Sequence, residues 1–109
     1  MSVITNEPKK TEVILEHANE AEQFLKQLAN KTRLMVLTSL MGKELSVSDL
    51  LTRIDVTQPV LSQHLALLRD AKMVATRRAG QVIYYRLTDE RVNRVLGLMH
   101  TFYPEPVNN

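Results

Sequence analysis

Residues 57–87 read TQPVLSQHLALLRDAKMVATRRAGQVIYYRL, and a change of period inside this stretch decides the fold. In its first half Leu61, Leu65 and Leu68 recur at four- and three-residue steps, the spacing that places side chains on one face of a helix. Thr57 offers a hydroxyl to cap that helix, and Pro59 falls in the first turn, where a missing N–H removes no helical bond. From Val74 the period becomes two. Val74–Arg78 and Val82–Leu87 are β-favouring runs separated by Ala79-Gly80-Gln81, which predicts a short hairpin with Ile83, Tyr85 and Leu87 on one face. Arg77 and Arg78 stand just before the turn, so the hairpin tip carries positive charge into solvent.

Upstream, Ser46-Val-Ser-Asp places Asp49 three residues after a capping hydroxyl, as in a capping box, and Val47, Leu50, Leu51 and Ile54 share one face. A two-turn helix is expected there, joined to the next by a turn at Asp55 and Val56. Two short capped helices with a tight turn form a helix-turn-helix, and the hairpin after them reads as a wing. Before them, Ile14, Ala18, Ala21, Leu25 and Leu28 predict a first amphipathic helix from Thr11. Asn30 caps a second, with Leu34, Leu37 and Leu40 or Met41 as its stripe, and Gly42 ends it. Thr88 caps a last helix whose apolar face is Val92, Val95, Leu96, Met99, Phe102 and Tyr103, and Pro104 ends it. The expected fold is mainly α with a β-hairpin: a winged helix-turn-helix of about five helices plus a two-stranded wing. Residues 1–10 read as a flexible tail, 11–104 as one domain and 105–109 as a second tail.

The chain has 109 residues, 44% hydrophobic and 24% charged, enough for one modest core. No apolar run approaches the roughly 18 residues that span a bilayer, and MSVITNEPKK at the start lacks the pattern of a secretory signal, so a cytoplasmic protein without membrane attachment is expected. The absence of cysteine excludes disulfides, thiolate metal sites and thiol redox chemistry. Net charge is only +2, but its distribution is uneven. Glu12, Glu16, Glu20 and Glu22 precede a segment in which Arg69, Lys72, Arg77, Arg78 and Arg86 face Asp70 alone, so a polyanion is one candidate partner and a solvated basic surface the other.

A major groove about 12 Å wide admits one helix, read mainly by residues near its N-terminus. Thr57, Gln58, Ser62, Gln63 and His64 present hydroxyl, amide and imidazole groups there without an acid, and glutamine can pair with the adenine edge through two hydrogen bonds. Arg77 and Arg78 are candidates for phosphate or the minor groove; because strand neighbours point to opposite faces, one of them can meet the duplex while the other pairs with an acid. Ser46, at a helix N-terminus, and Gln81, at the hairpin tip, are further contact candidates. An enzyme is not indicated: His17, His64 and His100 lie on separate helices without a nucleophile, a phosphate loop or paired acids.

The segments ANKTRLMVLTSL, ELSVSDLL, TQPVLSQHLALLRDAKMV and TRRAGQVIYYRL together resemble the ArsR/SmtB family of winged-helix transcription regulators, nearest its HlyU/BigR-like subgroup. The resemblance implies a homodimer formed through the first and last helices, here Phe24, Leu25 and Leu28 with Val92, Val95, Leu96, Met99 and Phe102. It implies a sequence-specific regulator of double-stranded DNA, acting on an inverted repeat as a repressor or as an activator that displaces a silencer. A winged-helix protein-interaction or RNA-binding module is the alternative. The sensing chemistry of such proteins is missing. Ser46 and Ser48 stand where arsenic and cadmium sensors carry thiolates, Arg91 and His100 do not match the last-helix zinc set that Asp89 would begin, and Thr38 and Pro104 occupy the positions of the subgroup's redox cysteines. No cofactor or metal is assigned, His17 and His100 across a dimer being either a zinc pair or ordinary histidines. An effector, if one acts, is a noncovalent small molecule or a protein.

Overall fold

The computed structural model describes residues 6–103. Six helices and three strands follow in the order α1 (Asn6–Glu16), α2 (Ala18–Leu28), α3 (Lys31–Ser39), β1 (Leu45–Ser46), α4 (Val47–Arg53), α5 (Gln58–Asp70), β2 (Val74–Ala79), β3 (Val82–Leu87) and α6 (Glu90–Phe102). The winged helix-turn-helix read from the sequence is present, α4 and α5 being the helix pair and β2–β3 the wing.

Local chemistry sets most boundaries. Asn30 caps α3 by accepting from the Arg33 backbone N–H at 3.0 Å, and Gly42 beyond it takes φ 72°. Ser46 and Asp49 form a reciprocal capping box on α4, each side chain accepting the other's backbone N–H at 3.0 Å. The end of α5 is a Schellman motif. Met73 N–H donates to Leu68 O and Lys72 N–H to Arg69 O, both at 3.0 Å, while Lys72 takes φ 60° and Met73 is buried, as is Leu68. The wing turns over two residues, since Ala79 pairs with Val82, and Gly80 at φ 63° occupies the first central position of a II′-type hairpin.

Three boundaries differ from expectation. The first helix begins at Asn6, inside the stretch read as a tail, and breaks at His17, which adopts φ −104° and ψ 20° and bonds the Glu20 carboxylate at 3.0 Å, opening α2 instead of continuing α1. Thr88 does not cap α6. Its hydroxyl donates to Lys72 O and its N–H to Met73 O, so the cap falls to Asp89, which accepts from Arg91 N–H at 2.9 Å. The wing also gains a third strand: the antiparallel sheet runs β1-β3-β2, with Leu45 opposite Tyr85 and Ser46 opposite Tyr84. Pro104 and the 105–109 tail lie outside the described residues.

The core joins Val36, Leu37 and Leu40 of α3, Leu50 of α4, the Leu61, Leu65 and Leu68 stripe of α5, Met73 and Val74 at the base of the wing, and Val92 and Leu96 of α6. Burying each of these large side chains contributes about 1.5–3 kcal/mol, and together they fix α5 by its inner face so that its opposite face is left to solvent. Leu28, Val92 and Leu96, expected at a dimer interface, belong to this core at 7%, 0% and 3% exposure, because helical phase turns them inward; they offer a second chain almost no surface. Among the described residues, no helix is long and apolar enough to cross a membrane.

Candidate nucleic-acid interface

The first turn of α5 is built for exposure. Thr57 accepts from the Val60 N–H at 3.4 Å, and Leu61, Leu65 and Leu68 turn inward, which leaves Gln58, Pro59, Ser62, Gln63 and Ala66 in solvent. No acid occupies that turn. The partial positive charge of the helix end therefore meets no carboxylate within its own first turn. Gln58 and Gln81 line one open cleft of about 650 Å³ together with Ser46, Ser48, Asp49 and Tyr84, so the start of α5, the start of α4 and the tip of the wing frame a single concave surface.

The residues chosen from the sequence divide here. Thr57, Gln58, Ser62, Gln63 and Gln81 are exposed, and of these Gln58 and Gln81 line the cleft. Ser46 lines it but is 8% exposed, its hydroxyl taken by Asp49 N–H; the neighbouring Ser48 is the exposed hydroxyl. Asp49 is an acid at the rim of a surface meant for phosphate, yet the Ser46 backbone N–H holds its carboxylate and draws its pKa below the usual aspartate range. His64 is half-buried and turned away from the solvent face, with Nδ1 3.2 Å from an Arg33 guanidinium nitrogen. Burial first, and the Arg33 charge second, push the His64 pKa down.

The two wing arginines also part company. Arg77 Nη2 and Nε donate to Glu44 Oε1 at 2.9 and 3.1 Å, and its guanidinium lies 4.8 Å from the Tyr84 ring centroid. That bond lowers the Glu44 pKa and raises that of Arg77, so the pair is close to neutral as a unit. Arg78 instead donates to Gly80 O at 3.0 Å, a neutral partner that leaves its charge uncancelled. The alternation of the strand therefore separates an acid-paired arginine from an unpaired one, as its geometry requires. Val60, 39% exposed beside Gln63 on the helix surface, escaped a search confined to polar side chains.

The terminal helices present a different chemistry. With Leu28, Val92 and Leu96 in the core, the apolar residues left outside are Leu25 at 56%, Leu98 at 57% and Phe102 at 60%, with Phe24, Val95 and Met99 half-buried. Leu98 was not among the residues expected on that face. Val13, Ile14 and Leu15 of α1 are also exposed. His17 bonds Glu20, while His100 lines a groove of about 480 Å³ between α3 and α6 with Thr38 and Met99. Among the described residues, no group of three or more His, Asp or Glu is placed to hold a metal ion.

Comparison with known proteins follows the same outline. Residues 30–76 match the family model described as bacterial regulatory protein, arsR family. The chain is 35% identical over 103 residues to the transcriptional activator HlyU of Vibrio cholerae, spanning 94% of this chain and 95% of that protein. It is 38% identical over 92 residues to the biofilm growth-associated repressor of Agrobacterium fabrum, spanning 84% and 79%. Among solved structures, the transcriptional repressor BigR from Xylella fastidiosa superposes with a TM-score of 0.82 at 35% identity, covering 88% of this chain and 98% of that one. A cleft shared by helix and wing, a sequence match across the helix-turn-helix and near full-length relatives agree: the chain belongs to the arsR family of bacterial regulatory proteins.

Proposed function

We propose that this protein is a transcription regulator that binds double-stranded DNA in a sequence-specific manner as a homodimer, with α5 in the major groove and the wing on the flanking backbone. The observation that carries this reading is the shared cleft: Gln58 at the start of α5 and Gln81 at the wing tip lie on one concave surface, with the unpaired Arg78 beside the same turn. Gln58, Ser62 and Gln63 read base edges, and Thr57 and Ser48 donate to phosphate. Arg78 neutralises phosphate from the wing, whereas Arg77 shapes the wing through Glu44. Leu25, Leu98 and Phe102, with Phe24, Val95 and Met99 around them, pair the two protomers.

Selection from random duplexes tests the proposal. It should return an inverted repeat with half-sites about one helical turn, roughly 34 Å, apart. Gln63→Ala should relax the preference at one position of each half-site while leaving non-specific duplex binding intact. Failure to enrich any motif would refute the assignment. Preferential binding of A-form RNA in the same assay would favour the alternative module.

A further inference from the structure

We infer that Arg33 is a positioning residue for the recognition helix, its guanidinium tying the last turn of α2 to His64 of α5 so that DNA binding requires all three to be held together. The inference rests on the proposed role of α5 in the major groove.

The geometry is a three-way fork. The Arg33 backbone is fixed first, because its N–H donates to the Asn30 cap at 3.0 Å. From there Nε donates to Gln27 O at 2.8 Å, Nη2 to Lys26 O at 3.0 Å and Nη1 to His64 Nδ1 at 3.2 Å. Carbonyls in the last turn of a helix lack intrahelical partners and carry partial negative charge, so a cation with several donors in one plane suits α2's end. The third donor then points at α5. Packing of Leu61, Leu65 and Leu68 holds α5 against the core but is not directional, whereas a hydrogen bond to His64 fixes the rotation of the helix about its axis. His64 is next to Gln63, so that rotation sets where the proposed base-reading amide stands.

The bond also dictates the state of the histidine. A guanidinium has donors only, so Nδ1 must offer its lone pair and the imidazole must be neutral with its proton on Nε2. Protonation removes the acceptor and sets two cations in contact. Burial and the Arg33 charge both oppose that change. On the elements packed against α5, Arg77 is held by Glu44 and Asp49 by Ser46, and Arg53 and Arg78 are exposed; Arg33 is the charged group bonded to His64. Because α2 also carries Phe24 and Leu25, Arg33 connects the side of the protomer proposed to meet its partner with the side proposed to meet DNA.

The test uses the full-length protein and the duplex recovered by selection. An NMR titration locates the His64 pKa, and binding is measured about one pH unit to either side of it. Wild type should lose about five- to tenfold in affinity on the acid side, in line with the loss of one intramolecular hydrogen bond of ordinary net strength. His64→Asn offers an uncharged acceptor oxygen with nothing to titrate, so its affinity should be the same at both values, whatever its level. Arg33→Lys keeps the charge but gathers its donors on one nitrogen and cannot reproduce the planar fork from Nε, Nη1 and Nη2, so it should weaken operator binding several-fold more than binding to unrelated duplex. Equal acid losses in wild type and His64→Asn, or an unaltered Arg33→Lys, would overturn the inference. Amide hydrogen exchange of α5 in the free protein gives a readout without DNA: its protection factor, taken relative to the intrinsic exchange rate at each pH, should fall on acidification in wild type only. If no duplex is bound at all, the functional reading fails while the exchange measurement still decides whether Arg33 positions α5.

Discussion

Arg78 and Arg77 are sequence neighbours with the same side chain, but Arg77 is paired with Glu44 and Arg78 with a neutral carbonyl, so only the removal of Arg78 should change the salt dependence of DNA binding. Each phosphate neutralised on B-DNA contributes about 0.9 to the slope of log K against log salt concentration. A dimer with one Arg78 contact per wing therefore carries about 1.8 of slope from this residue, and between about 50 and 200 mM salt that slope alone amounts to roughly a twelvefold change in affinity. Arg78→Ala should remove it, leaving a flatter plot whose deficit against wild type is largest at low salt. Arg77 cannot be tested by single deletion, since that would expose the Glu44 carboxylate it now holds at 2.9 Å and add a negative charge. The informative variant is Arg77→Gln combined with Glu44→Gln, which removes the pair without changing net charge and should leave the slope as it is. Fluorescence anisotropy across a salt series supplies the measurement. A double variant that flattens the slope as much as Arg78→Ala, or an Arg78→Ala protein with an unchanged slope, would refute the reasoning.

Ser46→Ala removes the hydroxyl half of the capping box on a helix of only seven residues and should destabilise the protein by about 1 kcal/mol in urea unfolding. Leu61→Ala opens a cavity at a fully buried position on the inner face of α5 and should lower stability by about 2–5 kcal/mol, measured in the same way. Leu25→Glu and Phe102→Glu place charges on side chains proposed to meet the second protomer, so each should give light scattering at the 12.5 kDa of one chain. Asp89 is held below its ordinary pKa of 3.8 chiefly by the Arg91 side chain. Its contribution to stability is complete above that ordinary value and disappears as pH falls through the lower folded one, so Asp89→Asn should flatten the acid limb of the stability profile.

What could be read in advance was whatever rests on a few consecutive residues. Asn30, the Ser46 and Asp49 pair, Thr57 and Gly42 act on backbone groups within a turn of themselves, and the α5 stripe and wing declare their periods over a dozen residues. Leu28, Val92 and Leu96 were legible as apolar but not as core, because one face of a helix looks alike in sequence whether it meets its own chain or another. Two residues of β1 contain no period to detect. The Thr88 hydroxyl could serve equally as a cap or a tertiary donor, and Lys72 O, sixteen residues back, decided between them. The same limit hid the partners of the site: Glu44 reaches Arg77 across 33 positions and Arg33 reaches His64 across 31. Nothing near His64 in sequence announced the guanidinium that faces its Nδ1.

The short strand β1 has a consequence for how such a protein can change its target. Ser46 pairs with Tyr84 of the wing and, in the same residue, starts α4, so the hairpin and the helix pair are riveted to one another at a common joint. Lengthening the hairpin at Gly80 would leave that joint untouched, while a single insertion between Ser46 and Val47 would shift both parts at once. The base of the wing therefore keeps a constant place relative to the helix pair, and only the reach of its tip can vary. On the proposed mode of binding, a lineage built on it would acquire new operators by exchanging side chains such as Gln58 and Gln63, by altering the angle between protomers or by extending the hairpin tip, but not by moving the base of the wing against the helix pair.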